Sequence, residues 1–385
     1  MAGNQAVTAM VQRYEAGEHA AQGEAKVRVN GVEMTVGEVN AMADFFSDVT
    51  LMQITDPAEL IEIRDLIRRD RAAHEGKPGA TAVRTDEWEK ATKGRYLKLA
   101  AGNSAHFAPQ PGGTGDNHRG HYFNLHRYAM QQAVLDRRVS DEAKARNAFA
   151  GHFLTDAFAA GHLVNKDMVV AFAKEHFAAA ATSGLAFKEN AFTKGVARAV
   201  LGDPVAGGKL GNRELYLLQW GKVTRERFSE FLYQFATSKP EQFFMAFARM
   251  VHDHLNNAIG TPAGGVEVTN ARGDTPWRLS GDGTLAMSPR TQQVLTEALQ
   301  LAEQNLETAS RATSEPDYHA LTTRVWALAP VPTKMGAETI RHTLDSIADA
   351  ARPESIAAFA AIAIAEIDAG IAELTNAGYM RLKKP

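Results

Sequence analysis

The sequence predicts a mostly α-helical fold, a multi-helix bundle with small β-hairpin excursions. Three observations predict it. Apolar residues recur at three- and four-residue intervals, as in Val294, Leu295, Ala298, Leu299, Ala302 and Leu306. Helix-start signals repeat along the chain: Thr35 three residues before Glu38, Ser140 before Asp141 and Glu142, and Ser288 before Pro289. Alternation of polar and apolar residues, the mark of a strand, is confined to 26–36 and 264–285.

In chain order, KVRVNGVEMTV (26–36) alternates around Asn30-Gly31, a dipeptide suited to a two-residue turn, and predicts a hairpin. The Thr35/Glu38 capping box then starts a helix expected from Gly37 into Phe46, with Asp44 and Asp48 one turn apart on it. Residues 57–72 and 86–101 read as helices. APQPGGTGDN (108–117) is dense in Pro and Gly and reads as a loop; its glycines lack the Lys-Ser/Thr of a phosphate-binding loop. Helices follow over 119–135 and from Asp141 to about Gly161, the second capped by Ser140. Residues 166–200 and 213–260 read as helical, with a Gly-rich break at 202–212. GGVEVTNARGDTPWRLSGDGTL (264–285) reads as a β-excursion with turns at Arg272-Gly273-Asp274 and Gly281-Asp282-Gly283. Ser288-Pro289 opens another helix, and a last one runs from Glu354 to Thr375 and stops near Gly378. No linker divides the chain, which suggests one large helical domain over 1–385. Within it lie an N-terminal region (1–100), a helical core (101–260), the excursion (261–287) and C-terminal helices (288–385).

Composition narrows the function. Among 385 residues, 42 are Lys or Arg and 45 Asp or Glu, for a formal charge of −3, so no electrostatic grip on nucleic acid is expected. The chain has no Cys, which excludes disulfides and thiolate metal sites; a metal must be held by imidazole, carboxylate or amide groups. MAGNQAVTAMVQRYEAGEHA shows no secretory signal, and no run of 18 apolar residues occurs. The chain is therefore expected to be cytoplasmic as made, with export by a route needing no signal peptide as the alternative.

Of 13 histidines, six fall between His106 and His162. In GHFLTDAFAAGHL (151–163), His152 and Asp156 are four apart and leave one helix face together. An imidazole nitrogen and a carboxylate oxygen so placed can grip one metal ion at ~2.0–2.2 Å. An exposed i,i+4 ion pair explains most such spacings. Here Phe153, Leu154, Ala157 and Phe158 predict a buried helix, where His and Asp need partners. His162 would face away on an unbroken helix, about 1.7 turns on, and a bend at Gly161 would bring it back.

The pattern His-x3-Asp-x5-His resembles the signature of zinc-dependent bacterial phospholipases C and the related single-strand-specific zinc nucleases. NSAHFAPQPGGTGDN (103–117) is similar to the loop in which that superfamily sets a His-Phe pair before a Pro/Gly/Asp-rich stretch. The likeness covers about 100–165. It implies a helical bundle of the zinc phospholipase C type, with two zinc ions. His106, His152 and Asp156 would hold one ion, completed by an upstream carboxylate: Asp44, or failing it Asp48 or Asp116. His162 would begin the second site, completed by His252 and Asn256, where the family has a carboxylate in place of the Asn. His176 is the alternative there, with Ala180 offering no ligand. A third ion is in doubt, because the family uses an N-terminal Trp and this chain begins with Met.

On this reading Asp156 would also orient the attacking water, and His126, on the helix between the two motifs, would bind phosphate or donate a proton; His118 and His121 read as structural. The expected activity is hydrolysis of phospholipid headgroups at a membrane surface. The alternatives are a single-strand nuclease and a non-catalytic metal-binding or toxin-associated module. A helical phosphohydrolase of the HD type, prompted by His252-Asp253, fits the 106–162 cluster less well.

Overall fold

A computed structural model describes residues 16–110, 116–178, 184–215, 222–238, 240–256, 265–281, 285, 288–350, 352–365, 367–376 and 378–383. The architecture is mostly helical, with small sheets, as the periodicity predicts. Contacts group the chain into two compact units instead of the one domain suggested by the sequence. One unit comprises Arg13–Asn165 and Leu255–Ile340; the other contains Lys166–His254 and Arg341–Pro385. The chain passes from one to the other and back, so no linker-like stretch marks the divide.

The first unit begins with a short helix, Ala16–Ala20, and a hairpin pairing Lys26–Val29 with Val32–Thr35. Asn30 (φ 44°) and Gly31 (φ 80°) make its tight turn in the left-handed region, as the dipeptide predicts. Thr35 and Glu38 form the expected capping box. The helix they start ends sooner than expected: it covers Val36–Ala41 and tightens into a 3-10 turn, Met42–Asp44. Asp48 is therefore not on the same helix as Asp44. It caps the next helix, Val49–Ile54, by accepting from the Thr50 N–H.

The helix Pro57–His74 follows. The helix expected over 86–101 is broken into Thr85–Ala91 and Tyr96–Ala101, because Lys93 (φ 52°) and Gly94 (φ 84°) reverse the backbone between them.

His118–Asp136 and Asp141–Asp156 pack as a helical hairpin. Ser140 caps the second helix, accepting from the Ala143 N–H at 3.2 Å. Pro289–Arg311 packs on both, and Ala129, Met130, Ala133, Ala143, Leu306 and Ala309 fill the shared interior. The β-excursion is a three-stranded antiparallel sheet. Val266–Asn270 lies between Trp277–Leu279 and an unforeseen edge strand, Pro330–Pro332. Proline is tolerated at such an edge but conceals a strand in sequence. Asp282 and Gly283 of the expected second turn lie outside the described residues, as do the glycines at 112, 113 and 115.

In the second unit the stretch 166–200 divides into Lys166–Ala178, Gly184–Glu189 and Ala191–Gly202, the last capped by Asn190. The Gly-rich 202–212 is not a simple break: Asp203 caps a helix, Pro204–Gly211. The long helix expected over 213–260 resolves into a strand, Arg213–Leu215, and two helices, Arg225–Ser238 and Pro240–Asn256. The strand pairs antiparallel with Met380–Leu382. Phe187, Phe192, Phe243, Phe247 and Phe359 pack ring against ring, with centroids 5.2–6.2 Å apart.

Candidate metal centre

The first unit buries four imidazoles and two carboxylates together: His19, His106, His152, His162, Asp44 and Asp156, each less than a tenth exposed. The centre is built from the Asp141–Asp156 helix, whose last two turns carry His152 and Asp156 on one face as their spacing requires. His152 Nε2 lies 3.4 Å from Asp156 Oδ2. His106, closing the 3-10 turn Asn103–His106, brings Nδ1 to 2.9 Å from both His152 Nε2 and Asp156 Oδ2. Asp44 Oδ1 stands 3.4 Å from His152 Nε2.

Asp44 reaches this place because two helices approach closely. Asn40 donates to Thr155 Oγ1 (3.3 Å), and a Cβ on Gly151 would stand 3.2 Å from the Asn40 amide. Arg68 holds the Glu38 carboxylate of the same short helix with two hydrogen bonds.

His162 returns by a bend, as expected, but the bend falls at the extended residue Ala159 and not at Gly161, which lies within the 3-10 turn that follows. The helix ends at Asp156, the Ala160 N–H donates to Ser280 O, and the chain re-forms as a 3-10 turn, Ala160–Leu163. His162 Nδ1 lies 2.7 Å from the His106 carbonyl oxygen. A carbonyl only accepts, so Nδ1 carries the proton and Nε2 keeps the lone pair that a metal ligand needs. The ring stacks on Phe107, with centroids 5.0 Å apart.

His19 is the member that the sequence did not reveal. Its Nε2 is 3.5 Å from Asp156 Oδ1, and its ring lies 4.3 Å from that of His152. Gly37 allows this: a Cβ there would sit 2.2 Å from the Ala20 carbonyl oxygen, so only glycine lets the His19 helix settle. His19 has no ligand-like spacing to any other histidine, and only its small neighbours Ala16, Gly17 and Ala20 hint at close packing.

Among the described residues, two sets of ligating atoms stand close enough to hold a metal ion: His106, His152 and Asp156, and His19, Asp44 and His152. His106, His152 and Asp156, expected around the first ion, are thus together, while Asp44 stands with His19 in the set that shares His152. Asp48 and Asp116 are elsewhere, Asp48 as a helix cap and Asp116 against His121 Nε2.

The expected second site is assembled differently. Asn256 Oδ1 accepts from the Gly161 N–H at 2.6 Å, so this Asn holds the backbone turn that presents His162. His252 belongs to the other unit and pairs its Nδ1 with Asp253 Oδ1 at 2.9 Å. Among the described residues it joins neither set of ligating atoms. The side chain of His176 lies outside the described residues.

His126 departs from its expected role. It is wholly buried, with Nδ1 2.7 Å from Asn147 Oδ1 and Nε2 3.2 Å from Asn305 Nδ2, and it stacks on Tyr122. Both nitrogens serve the packing of three helices, leaving neither to bind phosphate or to donate a proton.

The electrostatics suit a cation. Burial would raise the Asp156 carboxyl, but the facing His152, His106 and His162 outweigh it and hold the group below the usual carboxylate range. Burial pushes His152 well below the usual imidazole range, so it is neutral near pH 7, the form that binds metal.

No known protein family, curated protein or solved structure matches the chain. The residues themselves therefore carry the functional argument.

Proposed function

We propose that the protein is a zinc-dependent phosphodiester hydrolase, acting most readily on phospholipid headgroups. The supporting observation is the convergence of His106 Nδ1, His152 Nε2 and Asp156 Oδ2 at separations of 2.9–3.4 Å, with Asp44 Oδ1 3.4 Å from His152 Nε2 in the set that shares this histidine. Ligands at ~2.1 Å around a tetrahedral ion are about 3.4 Å apart, so these three donors, 2.9–3.4 Å from one another, are spaced to share one zinc ion. Nitrogen and carboxylate donors without sulfur suit zinc, as the lack of Cys requires. Zinc bound there supplies a Lewis acid and lowers the pKa of water toward ~7.

The protein's own groups complete the chemistry. Among the described residues Asp156 Oδ1 has no hydrogen-bond partner and faces His19 and His162 at 3.5 and 3.7 Å, so it is available to accept a hydrogen bond from water and orient it. His162, fixed by the His106 carbonyl and by Asn256 through Gly161, offers Nε2 to a neighbouring ion. The near-balanced charge of −3 favours a lipid substrate over a nucleic acid.

One observation favours a second reading, a metal-binding module without catalysis. Asn256 is engaged with Gly161, so the ligand set implied for a second ion is incomplete. The test is the purified protein with zinc, offered phosphatidylcholine vesicles and single-stranded DNA, with metal counted by emission spectroscopy. Headgroup release from the vesicles is expected. Cleavage of DNA alone would make it a nuclease. Bound zinc with neither cleavage would favour the module, and less than one zinc per chain with neither cleavage would end both readings.

A further inference from the structure

The His118–Asp136 helix carries three aromatic polar residues, His118, Tyr122 and His126, at four-residue intervals along one face. All three are buried, yet they are treated differently. His126 has Asn147 and Asn305 on its two nitrogens. His118 is 5% exposed and Tyr122 is 0% exposed, but neither ring nitrogen of His118 nor the Tyr122 hydroxyl has a hydrogen-bond partner among the described residues. Buried polar groups are almost always paired, and leaving one unpaired costs about 1–3 kcal/mol. Three such atoms on successive turns of one helix face point to a ligand.

The position says which ligand. The His118 backbone N–H donates to the Phe107 carbonyl at 3.0 Å; Phe107 follows His106 and stacks on His162. Trp326 packs against both rings, 5.4 Å from His118 and 5.5 Å from Tyr122. We propose that His118 and Tyr122 are substrate-binding residues of the metal centre, the His118 ring donating a hydrogen bond to a phosphoryl oxygen of the bound diester. This rests on the phosphodiesterase reading for its substrate.

The protonation state agrees. Burial pushes His118 down to about 3, Asp156 opposes the shift, and His162 and His106 add to it. The ring is neutral near pH 7, with one N–H to donate and one lone pair. It acts as a fixed dipole toward phosphoryl charge, and no proton transfer is assigned to it.

The test compares zinc-loaded wild type with His118→Ala, His118→Gln and Tyr122→Phe. The readouts are turnover of bis(p-nitrophenyl) phosphate, zinc per chain, inorganic phosphate binding by calorimetry, and melting of the metal-free proteins. Zinc content should be unchanged. His118→Ala should lower kcat on the order of 10²–10³-fold. His118→Gln, whose amide still donates, should lose less, and both should weaken phosphate binding. Tyr122→Phe should also bind phosphate more weakly, yet its metal-free form should melt higher than wild type, because an unpaired buried hydroxyl has gone.

Wild-type phosphate affinity and kcat in all three variants would overturn the proposal, as would wild type that binds no phosphate. A Tyr122→Phe melting point several degrees below wild type would show the hydroxyl already satisfied, and would also overturn it. Loss of phosphate binding in the His118 variants of a wild type that cleaves no diester would instead defeat the phosphodiesterase reading and leave this one standing.

Discussion

The two units fill their interiors with rings of opposite character. In the unit containing Lys166–His254 and Arg341–Pro385, Phe192, Phe243, Phe247 and Phe359 pack on one another. In the unit of Arg13–Asn165 and Leu255–Ile340, His19 and His106 pack on His152, at 4.3 and 4.8 Å between centroids, with Asp44 and Asp156 among them. Burying a phenylalanine removes apolar surface from water and stabilises the fold by itself. Burying imidazoles and carboxylates costs free energy unless partners or a cation offset it. The difference teaches where packing alone stabilises the fold and where a cation would be needed to offset buried charge.

The sharpest way to break that contrast is a pair of substitutions. Phe243→Ala removes a fully buried ring and should cost about 3–5 kcal/mol in urea unfolding, while the folded protein keeps its zinc. Asp156→Asn should leave the helical circular dichroism intact and lower zinc affinity by at least about 100-fold, since even groups that only orient a ligand are worth 10–100-fold. Equal effects of both on zinc would erase the distinction.

A smaller effect separates His126 from the metal centre. Burial pushes its imidazole down to about 4 from an ordinary value of about 6.5. Between those values the unfolded chain holds a proton that the folded chain does not, so stability rises with pH across the window. The contribution is complete above about pH 6.5 and is lost as pH falls toward about 4, amounting to at most about 3 kcal/mol. In metal-free protein, His126→Gln should flatten that part of the curve of stability against pH. An unchanged slope would show that His126 titrates normally in the folded state.

What could be seen in the sequence was local. His152 and Asp156 are one turn apart, and their apolar neighbours announce a buried helix. The Thr35/Glu38 box marks the start of the chain segment bearing Asp44, while the bend that returns His162, expected at Gly161, falls at Ala159. What could not be seen depends on contacts between distant segments. Nothing in the spacing of His19 connects it to Asp156. Asn256 has the spacing of a ligand from His252 but serves the Gly161 backbone. His126 resembles a pocket residue until Asn147 and Asn305, on two other helices, account for both its nitrogens. Two units assembled from alternating stretches leave no compositional boundary to find.

The most direct test is anomalous X-ray scattering at the zinc edge from crystals of the zinc-loaded protein. The account predicts a peak about 2.0–2.2 Å from His106 Nδ1, His152 Nε2 and Asp156 Oδ2 together. A map with no peak among these atoms, or with zinc held only by surface residues, would contradict it.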